Sequence, residues 1–95
     1  MSNTFNIFIE DKTVTKLAGN EYGREIYNQQ VKGKIDFNNK ICISFPERID
    51  YIGSSFIQGF FAEIVSNIGI KGVEDNVVII SSIEDEKKDI INNLL

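Results

Sequence analysis

The chain has no histidine and no tryptophan, one cysteine (Cys42), one proline (Pro46) and one methionine. Each shortage excludes something. Without histidine there is no serine–histidine–aspartate relay and no imidazole acid–base pair. One thiol cannot close a disulfide within the chain, and the cysteine and histidine sets that hold zinc are missing. No apolar run approaches the roughly 18 residues that cross a bilayer, and the N-terminus lacks a basic-then-apolar signal segment. A soluble, cytoplasmic protein is expected. Basic residues are scarce, 10 against 14 acidic, so the net charge is −4. An acidic surface repels phosphate backbones, and neither nucleic acid nor an anionic membrane is expected as a partner.

What is present places the chain among ordinary globular domains. Apolar residues make up 42% of it and charged residues 25%, enough of the first to form a core and too little of the second to keep the chain unfolded. At 95 residues a single domain over residues 1–95 is expected. Internal repeats and low-complexity segments are absent.

One stretch dominates. Phe56, Ile57, Phe60, Phe61, Ile64, Val65 and Ile68 recur at steps of one, three and four, the period of a helix with one broad apolar stripe. Gly69 follows the last of them as a C-cap. Ser55 and Gln58 have capping-box spacing at the front. Two hydroxyls, Ser54 and Ser55, thus fall where a helix offers free N–H groups and partial positive charge.

The rest is read in order. Phe5, Ile7 and Ile9 alternate as a first strand, with Phe8 directed to the opposite side. Thr13 to Leu17 forms a short second strand or an irregular segment. Asn20 is the expected N-cap of a helix from Glu21 to Val31, with Tyr22, Ile26, Tyr27 and Gln30 or Val31 inward and Gly23 as a weak point. Lys40 to Phe45 reads as a strand ended by Pro46, with Lys34–Phe37 as a hairpin partner across Asn38-Asn39. Glu47 to Asp50 is a polar loop. Ile70 to Asn76 reads as a loop, then Val77 to Ile80 as a strand covered on both faces and paired in parallel. Ser81 and Ser82, with Glu84 and Asp85 three positions on, read as caps of a last helix. The predicted fold is α/β: a small mixed sheet of about four strands, with helices packed mainly on one face.

Few residues carry candidate chemistry. Capping alone accounts for serines at a helix start; a phosphate there would also meet a favourable dipole. Gly69-Ile70-Lys71-Gly72 has the glycine spacing of an RNA-binding loop but none of its basic surroundings, and reads as a cap and turn. Asp36, Asp50, Glu63 and the Glu84–Glu86 run lack metal-ligand spacing and read as surface acids. Cys42 reads as a small buried hydrophobe, and Tyr22, Tyr27 and Tyr51 as half-buried. No nucleophile has a visible base, so no catalytic residue, cofactor or metal is expected.

Gly53-Ser54-Ser55-Phe56-Ile57-Gln58, set between a strand–loop and an apolar helix, resembles the signature of the STAS fold. That fold serves sulfate-transporter cytoplasmic domains and bacterial anti-sigma-factor antagonists. Gly53 stands where the antagonists' signature has aspartate, and Phe56 where it has glycine. Together, Tyr22-Gly23-Arg24-Glu25-Ile26 and Ser54-Ser55-Phe56 look closer to the STAS-like domains of unknown function, over roughly Leu17 to Leu95. The resemblance implies a bacterial, non-catalytic signalling module. Its partner would be a protein, a histidine-kinase-like ATPase acting as a serine kinase. By position the phosphoacceptor would be Ser55, with Ser54 beside it. The docking surface would comprise Glu47, Arg48, Asp50, Tyr51, Gly53, Gln58, Ala62 and Glu63. Composition equally suits a structural or self-assembly domain, or a small inhibitor protein of a mobile element, with no phosphorylation switch.

Overall fold

A computed structural model describes residues 3–95. Eight elements follow in order: β1 (Thr4–Asn6), β2 (Lys16–Leu17), α1 (Asn20–Gln30), β3 (Ile41–Ser44), β4 (Tyr51–Ile52), α2 (Ser54–Asn76), β5 (Val77–Ile80) and α3 (Glu86–Leu94). β1, β3 and β5 form one sheet in that order, and β2 pairs with β4 in a second. Every pairing is parallel. The α/β class stands, but the strands are five short ones divided between two parallel sheets, not one mixed sheet of about four.

The three-stranded sheet has two unlike faces, set by its register. Phe5, Ile43 and Ile79 form one row, with Ile41 and Val77 beside them; all but the half-buried Ile79 are buried. The other face carries Thr4, Cys42 and Val78 in one row and Asn6, Ser44 and Ile80 in the next. Val78 and Ile80 are exposed there. The unalternated run Val77–Ile80 is therefore a parallel strand with one open face, not a strand covered on both. Phe8, directed to the far side of its segment, is 63% exposed.

Above the buried face, α1 and α2 cross at glycines. A Cβ on Gly23 would overlap the Phe56 carbonyl oxygen and lie 2.9 Å from the Phe60 nitrogen; one on Gly59 would overlap the Asn20 carbonyl. Gly23 is thus a contact point, not merely a weak residue in a helix. The close approach lets aromatic rings interlock across the crossing. Tyr22 meets Phe56 and Tyr27 meets Phe60 edge-on, each with ring centres 5.7 Å apart. Phe45 meets Phe60 at 5.8 Å, joining this cluster to the residue after β3. Tyr27 is only 2% exposed, deeper than a boundary residue, whereas Tyr51 is exposed.

Several expected boundaries move. Asn20 does not cap α1: the cap residue is Gly19, with φ +98, and the Asn20 side chain accepts from Arg24 Nη2 at 3.4 Å. Residues 34–37 form no strand. Asn3 instead holds this segment: its Nδ2 donates to the carbonyls of Asp36 and Lys40, each at 2.8 Å, and its Oδ1 accepts from the Asp36 amide. A hairpin would need β3's edge, which β1 and β5 occupy on both sides.

Gly69 is not a helix stop. Its φ of 72 and ψ of 171 interrupt the helix, but residues 70–76 turn helical again and bury Val73 completely. The final helix also begins late. Ser81 Oγ accepts from the Ile83 amide, and Ser82 Oγ donates to the carbonyls of Glu47 and Ile49. Neither serine caps α3, which follows Asp85 in a left-handed conformation, one that aspartate tolerates better than most residues.

Candidate functional site

The two-residue ladder of β2 and β4 sets the entry to α2. Asp50 N–H donates to the Thr15 carbonyl and Gly53 N–H to the Leu17 carbonyl, each at 2.8 Å. The backbone stays extended through Gly53 (φ −75, ψ 157), and the helix begins at Ser54. Gly53 is therefore the cap residue, and without a side chain it caps with nothing. Ser55 lies inside the first turn, so the Ser55–Gln58 capping box does not form. No side-chain hydrogen bond caps α2, and Gln58 Nε2 donates instead to the Asn93 carbonyl at 3.3 Å. Both Ser54 and Ser55 are exposed. Their hydroxyls stand beside helix-terminal N–H groups, where partial positive charge collects.

The other expected docking residues divide into two groups. Asp50 and Tyr51 are exposed and share Lys16, whose Nζ lies 3.1 Å from Asp50 Oδ1 and 5.9 Å from the Tyr51 ring centre. With Ser54 they line a cleft of about 340 Å³, together with Ile52, Ile83, Glu86, Asp89 and Asn93. Gln58 borders it through Asn93. Glu47 and Ala62 are exposed, whereas Gly53, expected on the docking surface, is buried where the β2–β4 ladder holds it against the Leu17 carbonyl.

Arg48 and Glu63 lie elsewhere. Arg48 is half-buried, donating to the carbonyls of Ile9 (2.8 Å), Asp11 (3.2 Å) and Val14 (3.2 Å). It clamps the segment between β1 and β2 and presents little charge outward. Glu63 faces α1. Burial, and after it the Glu63 carboxylate, raises the pKa of the Tyr27 hydroxyl. That hydroxyl has no hydrogen bond of acceptable geometry; Glu63 is near enough to shift its titration without satisfying it.

Glu86, Asp89 and Asn93 are the site residues that sequence reasoning misses. Glu86 belongs to an acidic run that reads as solvated, yet it is 5% exposed. Burial, reinforced by Asp89, raises its pKa from 4.5 to about 7. Its Oε1 is buried without a hydrogen-bond partner. A helix starting at residue 86 puts 86, 89, 90 and 93 on one face; a start at Ser82 obscures that grouping. Two other acids serve local turns. Asp11 accepts from the Thr13 hydroxyl and amide, and Asp36 from the Asn38 amide and the Asn39 side chain; these bonds hold both carboxyls below the usual range. Among the described residues, no group of three histidine, cysteine or acidic side chains is arranged to hold a metal ion, and no helix is long and apolar enough to cross a membrane.

No protein-family model matches the chain, no curated protein matches it in sequence, and no solved structure matches its fold.

Proposed function

We propose that this protein is a non-catalytic interaction module that docks a protein partner through the exposed residues Glu47, Asp50 and Tyr51 and the first turn of α2, with Ser55 as a phosphate acceptor. The observation that carries the reading is the state of the two serines. Both are exposed in the first turn of α2, and neither hydroxyl is engaged in capping. A phosphate on either would be favoured by the helix N-terminus. The surroundings separate the two. Ser54 lines the cleft with Asp50, Glu86 and Asp89, so a dianion there would meet three carboxyl groups. Ser55 is outside that lining and takes the modification at less cost. The resemblance to anti-sigma-factor antagonists also places the role on Ser55, and its implied partner is a histidine-kinase-like ATPase. Phosphorylation would switch docking by adding charge to the contact surface.

The test is incubation with ATP and the histidine-kinase-like ATPases encoded in the same genome, read by intact mass and by size-exclusion chromatography. A mass gain of one phosphate, lost in Ser55→Ala and kept in Ser54→Ala, is the expected result. No gain and no complex with any of them would count decisively against the proposal.

A second reading has its own observation. The open face of the three-stranded sheet exposes Val78 and Ile80, and parallel sheets are usually covered on both faces. Self-assembly through this face is the alternative. It predicts an oligomer in sedimentation that Ile80→Lys dissociates, with the Ser55 variants unchanged.

A further inference from the structure

The α3 side of the site holds a group that serine docking does not use. Glu86 opens α3 almost fully buried, with Oε1 lacking a hydrogen-bond partner. A buried carboxyl oxygen without a partner is costly to a fold unless something supplies a donor. Glu86 lines the 340 Å³ cleft with Asp50, Tyr51, Ser54, Asp89 and Asn93, and no basic side chain is among the lining residues.

The lining chemistry is that of a cation site. Its three carboxyl groups, among the described residues, form no set able to hold a metal ion. Several carboxyl acceptors beside an aromatic ring suit a broad cation with several donors in one plane. Guanidinium has five such donors and a face that lies well on aromatic rings, whereas ammonium is a point charge. The Tyr51 ring is 52% exposed and has the Lys16 ammonium 5.9 Å from its centre and 3.1 Å from Asp50 Oδ1, so this ring and carboxylate already attract a cation, and a guanidinium would displace Lys16 from them.

We infer that this cleft binds a guanidinium group, whose N–H donors meet Glu86, Asp89 and Asp50 and whose plane lies against the Tyr51 ring. Its source is either an arginine of the docked partner, in which case the inference rests on the docking reading, or a free guanidinium compound. The raised Glu86 pKa gives binding a signature. Near pH 7 the carboxyl is partly protonated; a bound cation favours the ionised form and releases that proton to the buffer. The charged groups that share the cleft with Glu86 are Asp89, three residues on along α3, Asp50 and, through Asp50, Lys16.

The probe is N-acetyl-arginine amide, titrated into the isotope-labelled full chain and followed by amide chemical shifts. The control is the citrulline analogue, alike in shape but uncharged. Saturable shifts confined to residues 50–54 and 86–93 are expected. Affinity should fall roughly tenfold or more with the citrulline analogue and in Glu86→Gln or Asp89→Asn, the loss of one charge-assisted hydrogen bond. Calorimetry in two buffers of different ionisation heat should report proton release near pH 7 from the wild type and none from Glu86→Gln. Equal binding of the citrulline analogue, affinity undiminished in both variants, or no saturable shift would each overturn the inference. The probe needs no partner, so its failure leaves serine docking standing. Partner binding unaffected by Ser55 substitution would sink docking and leave the cleft. Competition between probe and partner assigns the guanidinium to the partner's arginine; binding without competition assigns it to a free ligand.

Discussion

Glu86 shows most plainly how burial turns an ordinary side chain into a titrating one. In the unfolded chain its carboxyl titrates near 4.5, and in the fold at about 7. Below the lower value both states hold the proton and the group contributes nothing to the pH dependence. Between the two only the folded state holds it, so stability falls as pH rises, and the loss is complete above the folded value. A tenfold difference in proton affinity is worth about 1.4 kcal/mol, which makes the fall between pH 4.5 and pH 8 on the order of 2–3 kcal/mol. Asp11 and Asp36, whose pKa values are lowered from 3.8, act below this window and leave it clear. Urea denaturation of Glu86→Gln across pH 5–8 should therefore give a flatter profile than wild type, with the variant more stable at pH 8. Parallel profiles would mean that Glu86 ionises freely in the folded protein. Gly69 is another residue whose conformation decides its identity. At φ 72 and ψ 171 it occupies a region open essentially to glycine alone, and a Cβ there would meet nothing within 4 Å. Gly69→Ala should cost about 1–3 kcal/mol in chemical denaturation through backbone strain alone; an unchanged midpoint would show that the bend relaxes without cost.

Among the elements, the crossing of α1 and α2 gives two opposed predictions that one substitution separates. Replacing a mid-helix glycine by alanine gains about 1 kcal/mol if helix propensity decides. Gly59 touches the Asn20 carbonyl through the space where a Cβ would sit, so Gly59→Ala should instead destabilise by roughly 1–3 kcal/mol, the cost of overpacking. Thermal denaturation decides the sign. This crossing also shows where sequence reading succeeds and fails. The Phe56–Ile68 stripe was legible because burial on one side imposes a helical period, and Phe56, Phe60, Phe61 and Ile64 are indeed buried. The alternation of Phe5, Ile7 and Ile9 marked three buried residues in the same way, although the strand itself ends at Asn6 and Ile7 and Ile9 are buried beyond it. Boundaries were not. Ser55, Asn20, Ser81 and Ser82 all have the chemistry of caps, but long-range contacts fix where each helix begins: the β2–β4 ladder holds Gly53 extended, and the Ser82 hydroxyl is drawn to the carbonyls of Glu47 and Ile49. The helical return after Gly69 was hidden because a glycine behind an apolar stripe looks the same whether the chain stops or only bends.

Taken whole, the molecule places its core on one side of a thin parallel sheet and gathers its unusual polar features near the mouth of α2. Of the candidate site, Ser54, Ser55, Asp50 and Tyr51 could be named from sequence because they follow one another along the chain. Glu86, Asp89 and Asn93 arrive from some 30 or more residues away, and only the packing of α3 against α2 brings them there. Nor could long-range packing be read for Arg48, whose charge is turned inward onto the carbonyls of Ile9, Asp11 and Val14. Serine docking requires the Ser55 hydroxyl to be free for a partner and not to hold the helix together, and Ser55→Ala measures both. Its denaturation midpoint should match wild type to within about 0.5 kcal/mol, as for an exposed side chain without structural partners, while phosphate transfer and partner binding are lost. A drop of about 1 kcal/mol, the usual cost of losing a cap, with partner binding intact, would contradict it.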